Sequence, residues 1–346
     1  MLVTGGCGFI GANFVRFVLG QADPQCLVLN LDKMTYAGNA ENLAGIEQAC
    51  PDRYRFFRGD ICDGELLDRI FTEHTLDAVI NFAAESHVDR SIVNPNLFIE
   101  TNVLGTATLL RAARTHWPED TWARRKFLQV STDEVYGSLP EDDPSQKFTE
   151  RTPLCPHSPY SASKASADLI VQATCDTYGF PTLITRCSNN YGPYQFPEKL
   201  IPLMINNAVH DQPLPVYGDG KNVRDWLYVE DHCEAIWTVL NQADPGEVYN
   251  IGGNNEMQNI EIVRMLLDAL GKPHSLITYV TDRLGHDRRY AIDATKITTD
   301  CGWEPKHTFA QKLPETIDWY LANSAWVEHI VSGEYRQYYD MMYGGR

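Results

Sequence analysis

Apolar residues follow two alternating patterns along the chain. Short runs rich in β-branched residues predict strands, and the segments between them have apolar residues three or four positions apart, which predicts helices packed on a sheet. Because the two patterns alternate, the sequence predicts crossover units and a doubly wound parallel sheet of the α/β class. The predicted strands cover residues 2–4, 26–31, 54–57, 78–82, 127–130, 182–185 and 248–251, and the predicted helices between them include residues 12–19, 64–71 and 101–113.

The alternation becomes less regular after about residue 186, where Pro, Asn and Tyr are frequent and helices are predicted at 200–209, 260–270 and 309–323. A chain of 346 residues exceeds the size at which one core usually stops growing. We therefore predict a sheet domain of residues 1–185, which also includes about 225–252, and a smaller, mainly C-terminal substrate-binding domain of residues 186–346. No clean linker separates them, so we expect the two domains to interleave.

Charge and cysteine content exclude several classes of protein. The net charge of −17 and pI of about 4.9 argue against a nucleic-acid surface, which needs clustered Lys and Arg. The nine cysteines are scattered and form no C-x-x-C pair, so neither a disulfide framework nor a zinc site is predicted, and we expect a reducing cytoplasm. No apolar run is long enough for a membrane span. Residues 1–19 lack a basic start and are interrupted by glycines, so we interpret them as mature structure.

Residues 5–11, Gly-Gly-Cys-Gly-Phe-Ile-Gly, follow the first predicted strand and open a helix. Glycines at such a turn let backbone N–H groups and the helix N-terminus approach a pyrophosphate, as in the Rossmann-like fold. The second strand ends at Asp32, where a carboxylate can accept hydrogen bonds from a ribose diol and disfavours a 2′-phosphate. The sequence therefore predicts NAD as the cofactor. Asp60, after the third strand, is either an adenine contact or a helix cap.

A second candidate feature is Tyr160 with Lys164. Residues 158–164 read as an N-cap serine, a proline at the first helical position, and helix. Positions i and i+4 share one helix face, so the Lys164 ammonium can approach the Tyr160 phenol. With a positive nicotinamide nearby, this cation favours the phenolate and gives a usable base near neutral pH.

Adjacent carboxylates at Asp133 and Glu134 follow the strand at 127–130. Open parallel sheets bind ligands at this end of their strands. In a partly desolvated cleft, like charges push one pKa upward, so the pair can supply one acid and one base. The spacing alone favours a capping or solvated acidic loop over a catalytic pair.

Together these motifs resemble the extended short-chain dehydrogenase/reductase family of nucleotide-sugar enzymes, and within it the members that dehydrate dTDP-glucose. The similarity extends over nearly the whole chain. The segments that carry it are residues 5–11, 32–39, 83–91, 131–137, Tyr160 to Lys164, 187–201, 224–232 and 285–290. Cys7 stands where the family commonly has alanine, and the first strand is very short, but neither departure removes a needed backbone group.

The resemblance implies a cycle in three stages. Tyr160, aided by Thr132 and Lys164, removes the proton of the sugar 4-hydroxyl while hydride passes to NAD. Glu134 then removes the C5 proton, and protonated Asp133 gives its proton to the departing 6-hydroxyl. Hydride finally returns to C6, which leaves a 4-keto-6-deoxy sugar. An elimination needs an acid and a base on neighbouring atoms, which explains the acidic pair.

The resemblance also implies two sets of binding residues. The expected cofactor-binding residues are Gly5, Gly8, Phe9, Ile10, Gly11, Asp32, Lys33, Met34, Thr35, Asp60, Ile61, Phe82, Ala83, Ala84, Ser86, Thr101, Tyr160, Lys164 and Asn190. The expected substrate-binding residues are Ser86, Thr132, Asp133, Glu134, Asn189, Lys199, Leu200, Ile201, Pro215, Val216, Tyr217, Arg224, Asn259, Asp282, Arg283, Leu284, Gly285 and His286. Arginine forks suit a diphosphate, and the Tyr217 ring suits a stacked thymine.

Several alternatives stay open from the sequence. A C4-epimerase or decarboxylase of the same family would share the glycine loop and the Tyr/Lys pair, but we would not expect it to carry Asp133 and Glu134. A dehydratase for CDP-glucose or GDP-mannose would share the Tyr/Lys pair and the acidic pair. A non-catalytic NAD-sensing protein would need neither of these pairs. We expect no metal, because His87 and His232 have no ligand spacing and are interpreted as structural. The resemblance implies a homodimer built on helices near 101–113 and 161–177.

Overall fold

The structure is a computed structural model that describes residues 1–331. Residues 332–346, which belong to the predicted second domain, lie outside the described part. The strands are β1 (Leu2–Thr4), β2 (Val28–Asp32), β3 (Tyr54–Arg58), β4 (Ala78–Asn81), β5 (Lys126–Thr132), β6 (Thr182–Cys187), β7 (Asn189–Tyr191), β8 (Leu214–Tyr217), β9 (Val223–Tyr228), β10 (Val248–Ile251), β11 (Glu256–Gln258) and β12 (Ile277–Val280).

Seven of these strands form one parallel sheet in the order β10-β6-β5-β4-β1-β2-β3. The chain reverses direction across the sheet at β1, which pairs with β2 on one side and with β4 on the other. In doubly wound sheets, this switch point opens the crevice that binds ligands. The seven predicted strands are the seven strands of this sheet, so the predicted fold class is confirmed.

Helices and helical turns connect the strands. The α-helices are α1 (Phe9–Phe17), α2 (Ile46–Ala49), α3 (Gly64–Glu73), α4 (Val88–Val93), α5 (Pro95–Phe98), α6 (Thr106–His116), α7 (Pro159–Tyr178), α8 (Leu200–Val209), α9 (Val229–Gln242), α10 (Asn259–Leu270), α11 (Thr295–Cys301), α12 (Phe309–Ala322) and α13 (Ser324–Val331). Val18–Ala22 and Ile99–Gly105 are π-helical, and Ala40–Leu43, Glu119–Arg124, Asp133–Tyr136 and His274–Leu276 are 3₁₀ turns.

Both faces of the large sheet are buried. Successive residues of β1 point to opposite faces: Val3 packs with α1 and α9, whereas Leu2 packs with α3, α6 and α7. Each face therefore has its own apolar cluster, which explains why the strands read as continuous apolar runs rather than as alternating ones.

A further cluster lies outside the large sheet. It is built on β7, β8 and β9 with α8, α10 and α12, and its largest fully buried side chains are Tyr191 and Phe309. The small sheets there follow the orders β11-β9-β7 and β12-β8. The sequence did not predict these strands, because each has six residues or fewer and lacks a clear apolar period. The domain boundaries stay a prediction.

Most predicted elements differ from the structure by a few residues at their ends, and strand β2 and the helix predicted at 101–113 are two examples. Strand β2 begins at Val28 rather than at residue 26, because the Leu27 carbonyl accepts a hydrogen bond from the N-terminal ammonium at 2.8 Å. The helix predicted at 101–113 is a π-helical segment followed by α6. Among residues 1–331, none of the helices is both long and apolar enough to cross a membrane.

Candidate active site

The glycine loop connects β1 to α1 at the switch point of the sheet. Gly5 has φ of +70°, and a Cβ there would lie 2.6 Å from the Ala83 nitrogen; a Cβ on Gly11 would lie 2.3 Å from the Gly5 carbonyl oxygen. Only glycine fits at either position, because backbone fills the space that a side chain would need. Gly8 is the N-cap of α1 and offers no side-chain cap, so the first N–H groups of the helix are left for a ligand.

The middle of the loop is tied to a distant part of the chain. The Cys7 carbonyl accepts hydrogen bonds from the Asn39 N–H at 3.0 Å and from the Asn42 amide at 2.9 Å. The Asn42 amide oxygen in turn accepts the Trp326 indole N–H at 2.8 Å. Helix α13 therefore holds the loop through Asn42.

Asp32 ends β2 and is buried. Its carboxylate accepts the backbone N–H groups of Cys7 at 2.9 Å and Met34 at 2.8 Å. Burial raises the pKa of Asp32, and these two hydrogen bonds offset part of that rise. The carboxylate thus lies beside the glycine loop, as the spacing predicts.

Asp60 is not the cap of the following helix. Asp63 caps α3 by accepting the Leu66 N–H, whereas Asp60 accepts the Cys62 N–H at 2.9 Å and pairs with Lys33 at 2.7 Å. Burial opposes ionisation of Asp60, but the hydrogen bond from Lys33 leaves its pKa below the ordinary value. The helix-cap interpretation of Asp60 is therefore wrong, and the adenine contact stays a proposal.

A cleft of about 280 Å³ runs from the glycine loop to the acidic pair. All the expected cofactor-binding residues line it except Gly11 and Met34, which lie just behind the loop wall. Of the expected substrate-binding residues, those that line it are Ser86, Thr132, Asp133, Glu134, Asn189 and Lys199.

Residues that the sequence analysis did not single out also line the cleft, and two of them are acids. Glu85 is 4% exposed and Glu198 is 7% exposed. Burial raises the pKa of both, with Arg90 opposing the rise in each case. Arg90 pairs with Glu198 at 3.1 Å. Nothing in the spacing of these residues marks them in advance, because their proximity results from the tertiary fold.

Asp133 and Glu134 begin the 3₁₀ turn that follows β5. Asp133 is 1% exposed; the Thr132 hydroxyl donates to its Oδ1 at 3.3 Å, and its Oδ2 has no hydrogen-bond partner among the described residues. Burial, and next the charge of Glu134, raise the pKa of Asp133 well above its ordinary value. The solvated-loop interpretation of the pair is therefore wrong.

Glu134 occupies a different electrostatic environment. Burial raises its pKa, but Arg283, Lys199 and Arg224 oppose the rise. Asp133 has one such cation, Arg224, among the causes that shift it. Asp133 therefore holds a proton more firmly than Glu134 does.

Tyr160 and Lys164 lie in the first turns of α7. Ser158 and Ser161 form a capping box with two hydrogen bonds of 3.0 Å, and Pro159 occupies the first turn, which fixes the start of the helix. Both side chains line the cleft. The Lys164 ammonium donates to the Val130 carbonyl at 2.6 Å, which leaves its other N–H groups for further acceptors.

The protonation state expected for Tyr160 is not produced by the protein's own charges. Burial raises its pKa well above the ordinary value, Glu134 adds to the rise, and a hydrogen bond with Thr132 opposes it. Burial lowers the pKa of Lys164, whose charge interacts with Asp168. The expectation that Lys164 favours the phenolate thus finds no support in these shifts, so a further positive charge in the cleft is needed.

Cations surround the acidic end of the cleft. Lys199 donates to the Ser86 carbonyl at 3.1 Å, and two Arg224 nitrogens donate to the carbonyls of Val223 at 2.7 Å and Asp287 at 2.8 Å. Arg283 lies 3.8 Å from the Asp89 carboxylate, and its Nε has no partner among the described residues. All three cations act on the pKa of Glu134, so they form one group with the acidic pair.

The remaining expected substrate-binding residues lie beyond the cleft wall. Tyr217 ends β8, and its hydroxyl donates to Asp89 at 3.5 Å; its ring lies 6.0 Å from the His286 ring. The buried amide oxygen of Asn259, at the start of α10, has no partner among the described residues. The others are Leu200 and Ile201 in α8, Pro215 and Val216 in β8, and Asp282, Leu284 and Gly285 in the loop after β12.

The two histidines considered above are buried and neutral. Burial lowers the pKa of His87 well below its ordinary value and that of His232 to about 3. His232 bonds to Asn190 at 2.9 Å through Nδ1, while its Nε2 has no partner among residues 1–331, so its hydrogen bonding is only half satisfied. Across that same part of the chain, no three His, Cys, Asp or Glu side chains are grouped to hold a metal.

Comparison with known proteins gives consistent matches. A sequence model of the family described as GDP-mannose 4,6 dehydratase matches residues 2–316. A dTDP-glucose 4,6-dehydratase of Xanthomonas campestris pv. campestris is 56% identical over 97% of both chains. The crystal structure of DesIV, a dTDP-glucose 4,6-dehydratase from Streptomyces venezuelae with NAD and TYD bound, is 48% identical with a TM-score of 0.89, over 95% of this chain and 99% of that one. A UDP-glucose 4-epimerase from Thermus thermophilus in complex with NAD is 30% identical with a TM-score of 0.82, over 93% and 99%.

Proposed function

Since the chain belongs to the family of dTDP-glucose 4,6-dehydratases, we propose that it dehydrates dTDP-glucose to dTDP-4-keto-6-deoxyglucose, with NAD as its cofactor. The family description that names GDP-mannose is broader than this assignment, because the 56% identical relative is named for dTDP-glucose. An epimerase is the weaker candidate, since the epimerase match is only 30% identical.

The single observation that carries the proposal is the asymmetry of Asp133 and Glu134. Asp133 is 1% exposed, and its burial and the charge of Glu134 favour its protonated form, whereas Glu134 faces three cations that favour its charged form. Elimination of water needs both states at once: Glu134 takes the proton from C5, and Asp133 gives its proton to the departing 6-hydroxyl. Oxidation or epimerisation at C4 alone needs neither group.

Tyr160 accepts the proton of the sugar 4-hydroxyl in this proposal. Thr132, which hydrogen-bonds to Tyr160, orients the phenol and offsets part of the rise in its pKa. Lys164, held by the Val130 carbonyl, directs its free N–H groups into the cleft and adds positive charge there.

The residues along the cleft fit a dinucleotide. Gly5 and Gly11 leave a backbone surface without side chains, the N-terminus of α1 is open, and the buried Asp32 carboxylate lies beside it to receive a ribose diol. NAD supplies the hydride acceptor and donor of the reaction. Because the cycle uses no net nicotinamide, we propose that the protein retains NAD between turnovers, and purified protein without nicotinamide would weaken this idea.

The diphosphate and base of the substrate are assigned to the group of cations and to β8. Arg224 and Arg283 present guanidinium groups that suit a diphosphate, and Tyr217 offers a ring for thymine. The unpartnered Nε of Arg283 and Oδ1 of Asn259 support this, since buried polar atoms normally have partners.

One assay tests the function directly. Incubation with dTDP-glucose in D₂O should give a 4-keto-6-deoxy sugar that carries deuterium at C5, without net reduction of NAD, and mass spectrometry with proton NMR reads both. Unchanged glucose or a galactose epimer would contradict the dehydratase assignment. The same assay with CDP-glucose and GDP-mannose tests the nucleotide.

We also propose that the protein forms a homodimer through the Ile99–Gly105 segment and α7. Large apolar side chains on this surface are exposed: Ile99 by 54%, Leu104 by 57% and Leu169 by 60%. A second copy would bury them, as in a four-helix bundle. Light scattering after gel filtration should show a dimer that Leu104→Glu with Leu169→Glu converts to a monomer. The control Leu321→Glu, at another exposed leucine, should leave the dimer intact.

A further inference from the structure

Cys155, His157 and Asp287 form a group of reactive side chains outside the cleft. The Cys155 sulfur lies 4.0 Å from His157 Nε2, and His157 Nδ1 lies 2.5 Å from an Asp287 carboxylate oxygen. All nine cysteines lie within residues 1–331, and Cys155 alone is exposed. An exposed nucleophile therefore lies beside an exposed base, and a buried acid orients that base.

The geometry assigns each nitrogen of the imidazole a role. Asp287 is an acceptor, so Nδ1 carries the proton that it binds, and Nε2 presents its lone pair to the Cys155 thiol. Asp287 is 6% exposed and is itself held by the Tyr290 hydroxyl at 2.6 Å. Among the described residues, the titratable groups in hydrogen-bond contact with His157 are Cys155 and Asp287, and Tyr290 lies behind Asp287.

The segment that carries the thiol touches both functional regions. The Cys155 N–H donates to the Val135 carbonyl at 3.0 Å, within the turn that begins with the acidic pair. On the other side, a Cβ on Gly285 would lie 2.9 Å from the His157 carbonyl oxygen. The Asp287 carbonyl accepts the Arg224 guanidinium at 2.8 Å, so His157 and Arg224 bind the same residue.

We propose that Cys155 is a regulatory thiol that undergoes exchange with small-molecule disulfides, with His157 as its base. His157 takes the thiol proton, and the sulfur attacks one sulfur of the disulfide. A bond between Cys155 and the reagent forms, the reagent's own S–S bond breaks, and the departing thiolate takes up the proton. Cys155 is oxidised to a mixed disulfide, and the leaving half of the reagent is reduced to a thiol.

Modification then acts on substrate binding. An adduct on Cys155 separates His157 from Asp287 and loosens the backbone that holds Arg224. Since Arg224 is assigned to the substrate diphosphate, the KM for the nucleotide sugar should rise several-fold, and kcat should change less. Cys155 does not line the cleft, so Cys155→Ser should keep normal activity.

The exchange is tested with oxidised glutathione and peptide mass mapping at neutral pH. An ordinary cysteine is only a few per cent ionised there, so a fully effective base can raise its rate by about 30-fold at most. We expect His157→Gln to slow modification of Cys155 by about 5- to 10-fold, within that ceiling. The control His210→Gln removes another exposed histidine and should change nothing. At strongly alkaline pH the wild-type and His157→Gln rates should converge. Equal rates at neutral pH would overturn the role of His157.

Activity provides the second readout. Glutathione disulfide should raise the KM of the wild-type protein, dithiothreitol should restore it, and Cys155→Ser should resist. Full activity of a protein that carries the adduct at Cys155 would overturn the link to Arg224. The mass-mapping result does not depend on the proposed dehydratase activity. Failure of the thiol-exchange proposal is therefore distinguishable from failure of the proposed function.

Discussion

The two ends of the cleft are built in opposite ways. At the cofactor end, residues 5–32 of the chain supply a turn, a helix N-terminus and one carboxylate. Binding there requires that the glycines have no side chain, so that the backbone can approach the ligand. At the acidic end, Asp133 and Glu134 work with Lys199, Arg224 and Arg283, which come from distant segments. The cofactor end therefore depends on the shape of its backbone, and the acidic end depends on the balance between buried positive and negative charges.

This difference determines what a substitution does. At the cofactor end, an added side-chain atom should impair binding, because backbone already occupies the space that the atom would need. At the acidic end, removal of a charged side chain should impair the reaction. The fold around it should persist or become more stable, because a buried ionisable group costs free energy of folding.

Removal of the acid should give the largest change. Asp133→Asn cannot donate a proton to the leaving hydroxyl, so kcat for dehydration should fall by about 10³-fold. Oxidation at C4 stays possible, and absorbance of reduced nicotinamide should therefore build up in a stopped-flow experiment. Asp142→Asn, at an exposed acid, serves as the control. Absence of that absorbance would show that the acid role is misassigned.

Addition of one methyl group should damage the cofactor end. In Gly11→Ala the new carbon would meet the Gly5 carbonyl at 2.3 Å, so the loop must move. Overpacking costs about 1–3 kcal/mol, and this corresponds to about a 5- to 150-fold weaker affinity for NAD, measured by calorimetry. Gly20→Ala makes the same change where nothing lies within 4 Å and should leave binding unaltered. Equal affinities of the two variants would refute the shape argument.

The pH dependence should report the charge balance. Glu134 must be ionised to act, so kcat falls as pH decreases through its pKa, which burial places above the ordinary value of 4.5. Asp133 must be protonated, so kcat also falls as pH rises through its pKa. Arg283→Gln removes a cation that opposes the rise at Glu134, and the acid limb should move to higher pH. The control Arg264→Gln, at an exposed arginine, should leave the acid limb of the profile in place. If neither variant moves that limb, Arg283 does not influence the pKa of Glu134.

The smallest effect expected is a gain in stability. The folded state raises the pKa of Asp133 above its unfolded value of 3.8, so the native protein binds this proton more tightly. Stability from this group is therefore full below the unfolded pKa and is lost as pH rises through the folded pKa. Asp133→Asn removes that penalty and should raise Tm by about 2 °C at alkaline pH but not near pH 3. A lower Tm of the variant at alkaline pH would contradict a destabilising effect of the buried Asp133 carboxylate.

The same contrast explains what the sequence could predict. Gly5, Gly11 and Asp32 lie close together in the chain, and their spacing alone locates the cofactor end. The seven core strands were predicted because each is a short run rich in apolar and β-branched residues. By comparison, Glu85 and Glu198 were missed, because only the tertiary fold brings them to the cleft. The protonation of Tyr160 stays a prediction, since it depends on burial and on the charge of the cofactor as well as on helical spacing.

The bond from Trp326 to Asn42 has a consequence for how the protein is made. The glycine loop is synthesised long before Trp326, the residue that secures it through Asn42. A nascent chain that has reached residue 300 therefore already has all seven strands of its sheet, but its dinucleotide loop still lacks this support. Helix α13 thus completes a loop that lies about 300 residues before it, so chains that end before Trp326 should bind NAD less well than chains that contain it.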